Sequence, residues 1–506
     1  MRMTRIAVAL TSAAMALAST LPSTVAAKEH QPDAVASDHH DGAHAEAATE
    51  LGTELTERLS RATGGETIIL GAGIYRGNFV IDVPLTLAGR PGAVLDGGGS
   101  GTVLTVKASG VVVQGLSVIG SGAGPVGSPA GISIQGNDVL IQDVKINDSY
   151  IGISTMKTRS TRILDSEIVG RSDAEIADEG HAMDESNEPT SSSTRGDGIS
   201  LNDSRWTLIR GVKMNSVRDG IYLSFGANTT IDDSEVRGSR YGIHAMYSRH
   251  LAASESLFDN NLSGAILMYG GPLVMVRNTF SRHTSPSTGF GVLLRDVTRA
   301  EVARNVMTEN RIGVQVEGPA GGTSGDNRLL LNTIASNQIG IALFPNAAAA
   351  FAGNSILGNI VSVSAQGSGD RLKVEWMDKG AGNFWDTYRG FDEDGDGLGD
   401  VPHEESGTIS NRIRRAPFLA ALGTSPAFKL IDAVHQRWTG RSPLVVDRAP
   451  LMTPLSPPLP GGPRAQGNRV ATSVGSMLIL VLSVGLMWTL RSRKARRWKV
   501  IAHAGA

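Results

Sequence analysis

The chain returns to glycine at a nearly fixed interval, and this constrains the fold more than any other feature. DGIYLSF, YGIHAMY and SGAILMY begin at Asp219, Tyr241 and Ser263, 22 residues apart. Extended both ways, the column reads Gly131, Gly152, Gly198, Gly220, Gly242, Gly264, Gly291, Gly313 and Gly340, with steps of 21, 46, 22, 22, 22, 27, 22 and 27. Each glycine opens a short apolar/polar alternation, and a second such run follows, as in VMVRNTFSR. Period-2 strands in a repeat of this length predict an all-β chain, each repeat one coil of a right-handed parallel β-helix solenoid. Helical repeats are longer and carry a 3.6-residue period; leucine-rich repeats carry fixed Leu and Asn positions. Neither pattern is present. The 61 glycines and the 5% aromatic content agree with a core of small and β-branched side chains. GETIILGAGIYRGNF supplies opening coils, and LTERLSRAT before it is expected to cap the solenoid end as a helix.

Coils stacked about 4.8 Å apart turn in-register residues into ladders. If the residue after each glycine and the one two further on point inward, one outward column reads Ser200, Tyr222, His244, Ile266, Leu293, Gln315. The next reads Asn202, Ser224, Met246, Met268, Arg295, Glu317. His244 and Met246 then share a face, with Met268 stacked over Met246. Imidazole and thioether together suit Cu(I). The same residues, with Tyr222 and Ile266, also read as an adaptable apolar patch for a protein partner.

The step from Gly152 to Gly198 carries RSDAEIADEGHAMDESNEPTSSSTR, which lacks a strand pattern and is expected to leave the solenoid as an acidic insertion, 171–196. Its His181 and Met183 read as a solvated linker before they read as ligands. Further on, FDEDGDGLGDVPH sets Asp392, Asp394, Asp396 and Asp400 at positions 1, 3, 5 and 9 of a Ca²⁺-type loop with Gly397 at position 6. His403 stands where the closing Glu is expected. A structural calcium site and a metal-free acidic turn are both open.

The ends read as targeting segments. Residues 1–27 have basic Arg2 and Arg5, an apolar run and small residues, the pattern of a secretory signal cut after Ala27. A mature chain starting Lys28-Glu29-His30 offers amine, amide and imidazole nitrogens for square-planar Cu(II), and His39, His40 and His44 follow in a His-rich, disordered leader, 28–50. The solenoid is expected over 51–375 and a C-terminal extension over 376–453, then a Pro/Gly linker, 454–469. Residues 470–490 hold no charge, enough for a single transmembrane helix across about 30 Å. The basic tail 491–506 puts the cytoplasm on its far side and the folded part in the periplasm, anchored in the inner membrane. A net charge of -2 gives no case for nucleic acid, and without cysteine there is no disulfide or thiolate site.

YGIHAMYS and GAILMYG, followed by GNFWDTYRGFDEDGDGLGDVP, RRAPFLAALGTSPAFKLIDAVHQRW and VVDRAPLMTP, resemble the NosD family, periplasmic maturation proteins of nitrous oxide reductase. The likeness covers roughly 51–455, and the C-terminal block is its most specific part. It implies a non-enzymatic accessory factor that works with the ATPase and membrane subunits of an ABC transporter, takes copper or sulfur cargo, and docks the reductase whose copper-sulfur cluster is being built. A copper chaperone is a further partner compatible with it. The C-terminal anchor and the acidic insertion depart from the family's usual pattern. Two other classes share the fold: calcium-dependent polysaccharide lyases or epimerases, and structural or adhesive solenoids. A lyase would need carboxylate-held Ca²⁺ facing a base on the strand face, where the outward columns show only Arg295 and Glu317.

Overall fold

A computed structural model describes residues 41–171, 195–318, 326–366, 372–405 and 443–455, with Leu430 and Val434. Three parallel sheets of 13, 13 and 12 strands form the sides of a β-helix solenoid. One coil shows the order: Asp219–Ser224 lies in the third sheet, Ala227–Asp232 in the first and Glu235–Arg237 in the second, and Tyr241–Met246 begins the next. Inward positions stack like on like. Ile153, Ile199, Ile221, Ile243, Ala265, Val292, Val314, Ile341 and Val363 form one unbroken buried column.

The glycine column follows from close approach between coils. A Cβ at Gly242 would stand 2.5 Å from both the Gly264 carbonyl oxygen and Phe258 Cδ1, which no real side chain tolerates. The long step before Gly198 does not interrupt the ladder, since Ile153 pairs directly with Ile199. Residues 172–194, which include His181 and Met183, lie outside the described residues.

The capping helix spans Asp41–Arg61 and sinks Ala48, Leu55 and Leu59. It starts fourteen residues before LTERLSRAT, so residues 41–50 of the expected disordered leader are helical. Ala and Glu in DGAHAEAATE favour helix even without an apolar stripe. Gly52 permits the docking, because a Cβ there would lie 1.9 Å from the Arg76 carbonyl oxygen.

A polar spine threads the other half of the interior. Asn278, Asn305, Asn332, Asn354 and Asn383 stack in successive coils, and from Asn305 onward each side-chain oxygen accepts from the main-chain N–H of the Asn before it, at 2.9–3.2 Å. Their Nδ2 groups donate to main-chain carbonyls, so the buried amides are satisfied. The spine ends on Asp447, on a strand antiparallel to His403–Glu405, whose carboxylate accepts from Asn383 N at 2.7 Å and Trp385 Nε1 at 2.9 Å.

The transmembrane helix expected at 470–490 and the signal at 1–27 lie outside the described residues. Among the described residues no helix is long and apolar enough to cross a membrane.

Candidate functional site

The outer face of the third sheet carries the ladders expected from the glycine register. Tyr222, His244, Ile266, Leu293 and Gln315 follow one another across paired strands, as do Ser224, Met246, Met268, Arg295 and Glu317. Strand alternation fixes this direction, and glycine fixes the phase.

Burial along the ladders corrects the picture of an open face. Ile266 and Leu293 point outward yet are 5% and 3% exposed, because they join Phe290, Ile312, Ile339, Ala342 and Val361 in a second apolar cluster outside the coil interior. Met268 and Tyr241 pack against it. Met268 therefore serves packing as well as any ligand, and neither it nor Met246 is fully exposed. Arg295 and Glu317 are not isolated charges; they pair with each other beside a cleft of about 340 Å³ that also borders the cluster.

His244 sits where this face turns polar. Its Nδ1–H donates to Asp219 Oδ2 at 2.8 Å, and Asp219 is fully buried. Arg240 grips the same carboxylate with two bonds, Nε to Oδ1 at 2.8 Å and Nη2 to Oδ2 at 2.7 Å. Burial works against the Asp219 charge, but the bonds from His244 and Arg240 outweigh it and hold the carboxyl below the ordinary carboxylate range. One coil below, Asp197 is also buried and takes Arg218 Nε at 2.9 Å. Burial first, and the Asp219 charge second, push its carboxyl up to about 6. Tyr222 and Tyr241 meet the His244 ring edge-on at 5.2 and 5.3 Å. Because an ionised carboxylate only accepts, Nδ1 carries a proton, which leaves Nε2 as the nitrogen through which the ring could bind a metal. A carboxylate behind the distal nitrogen in this way orients an imidazole for metal binding and raises its basicity.

Asp197, Asp219, Arg218 and Arg240 stand before the glycines, outside the alternating runs that the glycines open. Their trace in the sequence is that Arg-Asp-Gly and Arg-Tyr-Gly recur 22 residues apart, one and two places before the glycines.

In the acidic loop, Asp392, Asp394 and Asp396 bring carboxylate oxygens within 4.8 Å of one another. Asp392 is held by the N–H groups of Gly395 and Gly397 at 2.7 and 2.9 Å. Asp400 instead accepts from Glu393 N at 2.6 Å. His403 turns away, stacked on Trp385 at 4.7 Å. Of the leader histidines, His30, His39 and His40 lie outside the described residues, and His44 lies in the capping helix.

A family model described as NosD, periplasmic copper-binding protein, matches residues 179–390. A probable ABC transporter binding protein NosD from Pseudomonas aeruginosa is 30% identical over 414 residues, 79% of this chain and 91% of that protein. Its namesake from Stutzerimonas stutzeri is 26% identical over 397 residues, 76% and 86% of the two chains. Both are named as transporter-binding proteins and neither as an enzyme. A PL6 alginate lyase in complex with a trisaccharide aligns with a TM-score of 0.45 and 12% identity, over 65% of this chain and 82% of its own. Identity at this level, sustained along nearly the whole of the Pseudomonas relative, means that the chain belongs to the NosD family.

Proposed function

We propose that the chain is a periplasmic accessory factor in the maturation of nitrous oxide reductase. In this reading it works with the ATPase and membrane subunits of an ABC transporter, receives cargo for the copper-sulfur cluster, and docks the copper-free enzyme. The observation that carries the proposal is identity with proteins named ABC transporter binding protein over 79% of the chain.

Copper is the cargo that the outer face favours. His244 Nε2 with the Met246 and Met268 sulfurs offers a soft, neutral donor set suited to Cu(I). Asp219 and Arg240 fix the imidazole, and the aromatic neighbours limit water around it. Thioether donors bind weakly enough to release their metal to a stronger site. His30, His39, His40 and His44 would gather copper ahead of this face, directly or from a copper chaperone. Asp392, Asp394 and Asp396, with Asp400, would hold Ca²⁺ as a structural ion. A signal cut after Ala27, an anchor at 470–490 and a cytoplasmic tail at 491–506 would keep the solenoid, 51–375, and its extension, 376–453, at the outer surface of the inner membrane.

The test is genetic and spectroscopic. Reductase purified from cells lacking the chain should be exported and folded but lack its catalytic copper-sulfur cluster. Fully loaded reductase from those cells refutes the role.

A further inference from the structure

We infer that the corner between the third and first sheets is a docking surface for a folded protein partner that presents an apolar protrusion inside an acidic surround. The corner is built by one residue per coil, the one that follows each third-sheet strand: Phe225, Tyr247 and Tyr269. Their rings stack at 5.0 and 5.2 Å, with planes within 8° and 17° of parallel. They are 61%, 46% and 39% exposed.

Backbone geometry makes this choice of residue costly. The corner is left-handed in six consecutive coils, with φ of 54°, 52° and 55° at the three aromatics, 47° at Asp203 and 57° at Lys157 below them, and 51° at Asp296 above. Asp and Asn adopt that conformation readily; bulky side chains do not. Asp203, Asp296 and Lys157 close the same corner without a ring, whereas the aromatic residues hold it in three consecutive coils where water meets them. Coil closure does not require the rings, and burial is not their reward.

The stacking also says what binds. Each inner ring face is covered by its neighbour, so a sugar ring or a nucleobase, which needs an open face, has no slot between them. What remains outward is a strip of ring edges, and neither tyrosine hydroxyl has a hydrogen-bond partner among the described residues. Met246 and Met268 immediately precede Tyr247 and Tyr269 and continue the strip toward His244. Tyr, Met and Arg are the residues that protein interfaces favour. Arg249 and Arg299 flank the strip at the start of the first sheet; both are exposed, and neither makes an ion pair among the described residues. Arg205, two residues past Asp203, stands 3.8 Å from its carboxylate. Arg249 and Arg299, the two cations beside the apolar strip without a carboxylate partner among the described residues, call for acidic groups around an apolar knob.

The inference rests on the maturation role proposed above and names the surface through which the chain meets its enzyme. The probe is copper-free nitrous oxide reductase from the deletion strain, titrated against the purified chain at several salt concentrations. Phe225→Asn, Tyr247→Asn and Tyr269→Asn combined keep a residue suited to the left-handed corner. They should weaken binding roughly tenfold or more while thermal stability stays close to wild type. Arg249→Glu with Arg299→Glu should slow association and flatten its salt dependence. Lys145→Asn with Lys213→Asn, exposed on the second sheet, should change neither. If the wild-type chain binds the reductase and the triple-Asn variant binds equally well, the corner is not the interface, and the maturation role stands. A triple-Asn variant that loses stability without losing affinity makes the stack a structural device and overturns the inference. If the wild-type chain does not bind at all, the docking part of the maturation role fails, and this surface fails with it.

Discussion

Asp447→Ala should loosen the C-terminal end of the solenoid before it affects the rest. The Asp447 side chain is fully buried and terminates the asparagine spine, accepting from Asn383 N at 2.7 Å and from Trp385 Nε1 at 2.9 Å, while its other oxygen accepts from Ala449 N at 3.2 Å. Alanine would strand two buried donors, the Asn383 amide and the Trp385 indole. An unsatisfied buried donor costs about 1–3 kcal/mol, so the expected loss is about 2–6 kcal/mol. Asp447→Asn keeps one oxygen and should cost about half as much, since its NH₂ group faces other donors. Urea unfolding followed by tryptophan fluorescence is the direct assay, because Trp385 packs edge-on against Trp376 at 5.5 Å at this end of the core. Far-UV circular dichroism follows the whole solenoid in the same titration. In a stack where coils contact only their neighbours, a local lesion separates the two transitions, and fluorescence should move first. Coincident curves within about 0.5 kcal/mol of wild type would show that the spine needs no terminal acceptor.

Other consequences are equally concrete. His283 occupies a buried place in a parallel Asn column, with Nε2 lacking a partner among the described residues, and burial depresses its pKa to about 4. An unfolded His titrates near 6.5, so between those values the unfolded chain holds more protons; stability should be full above pH 6.5 and fall by about 3 kcal/mol as pH drops through 4, and His283→Asn should flatten that dependence in acid unfolding curves. Asp219→Ala leaves Arg240 and His244 without their shared acceptor and should cost about 2–4 kcal/mol in chemical denaturation, whereas His244→Ala, which leaves the Arg240 pair intact, should cost far less. Gly242→Ala forces a Cβ against the next coil and should destabilise by about 1–3 kcal/mol by the same measurement.

Periodicity made the solenoid legible. Once Gly220, Gly242 and Gly264 set the phase, strand alternation put Tyr222 beside His244 and Met246 beside Met268, as their pairing confirms. Alternation gives direction and not cover, so it could not show that outward Ile266 and Leu293 lie beneath a second apolar cluster. Asp219 is hidden from the alternating pattern, which starts at the glycine, while the residue that orients His244 stands just before it. Asp447 is hidden for another reason. It meets Asn383 across 64 residues, and no repeat carries that relation. The early start of the capping helix reflects Ala and Glu propensity, which leaves no apolar stripe to detect.

The most direct test of the account is to return the gene to the deletion strain in two forms, wild type and His244→Ala/Met246→Ala/Met268→Ala, and to measure copper and sulfide per molecule of purified reductase. The account predicts that wild type restores the cluster and that the triple variant, present at wild-type level and folded, leaves the reductase as empty as the deletion does. A fully assembled cluster with the triple variant would contradict it.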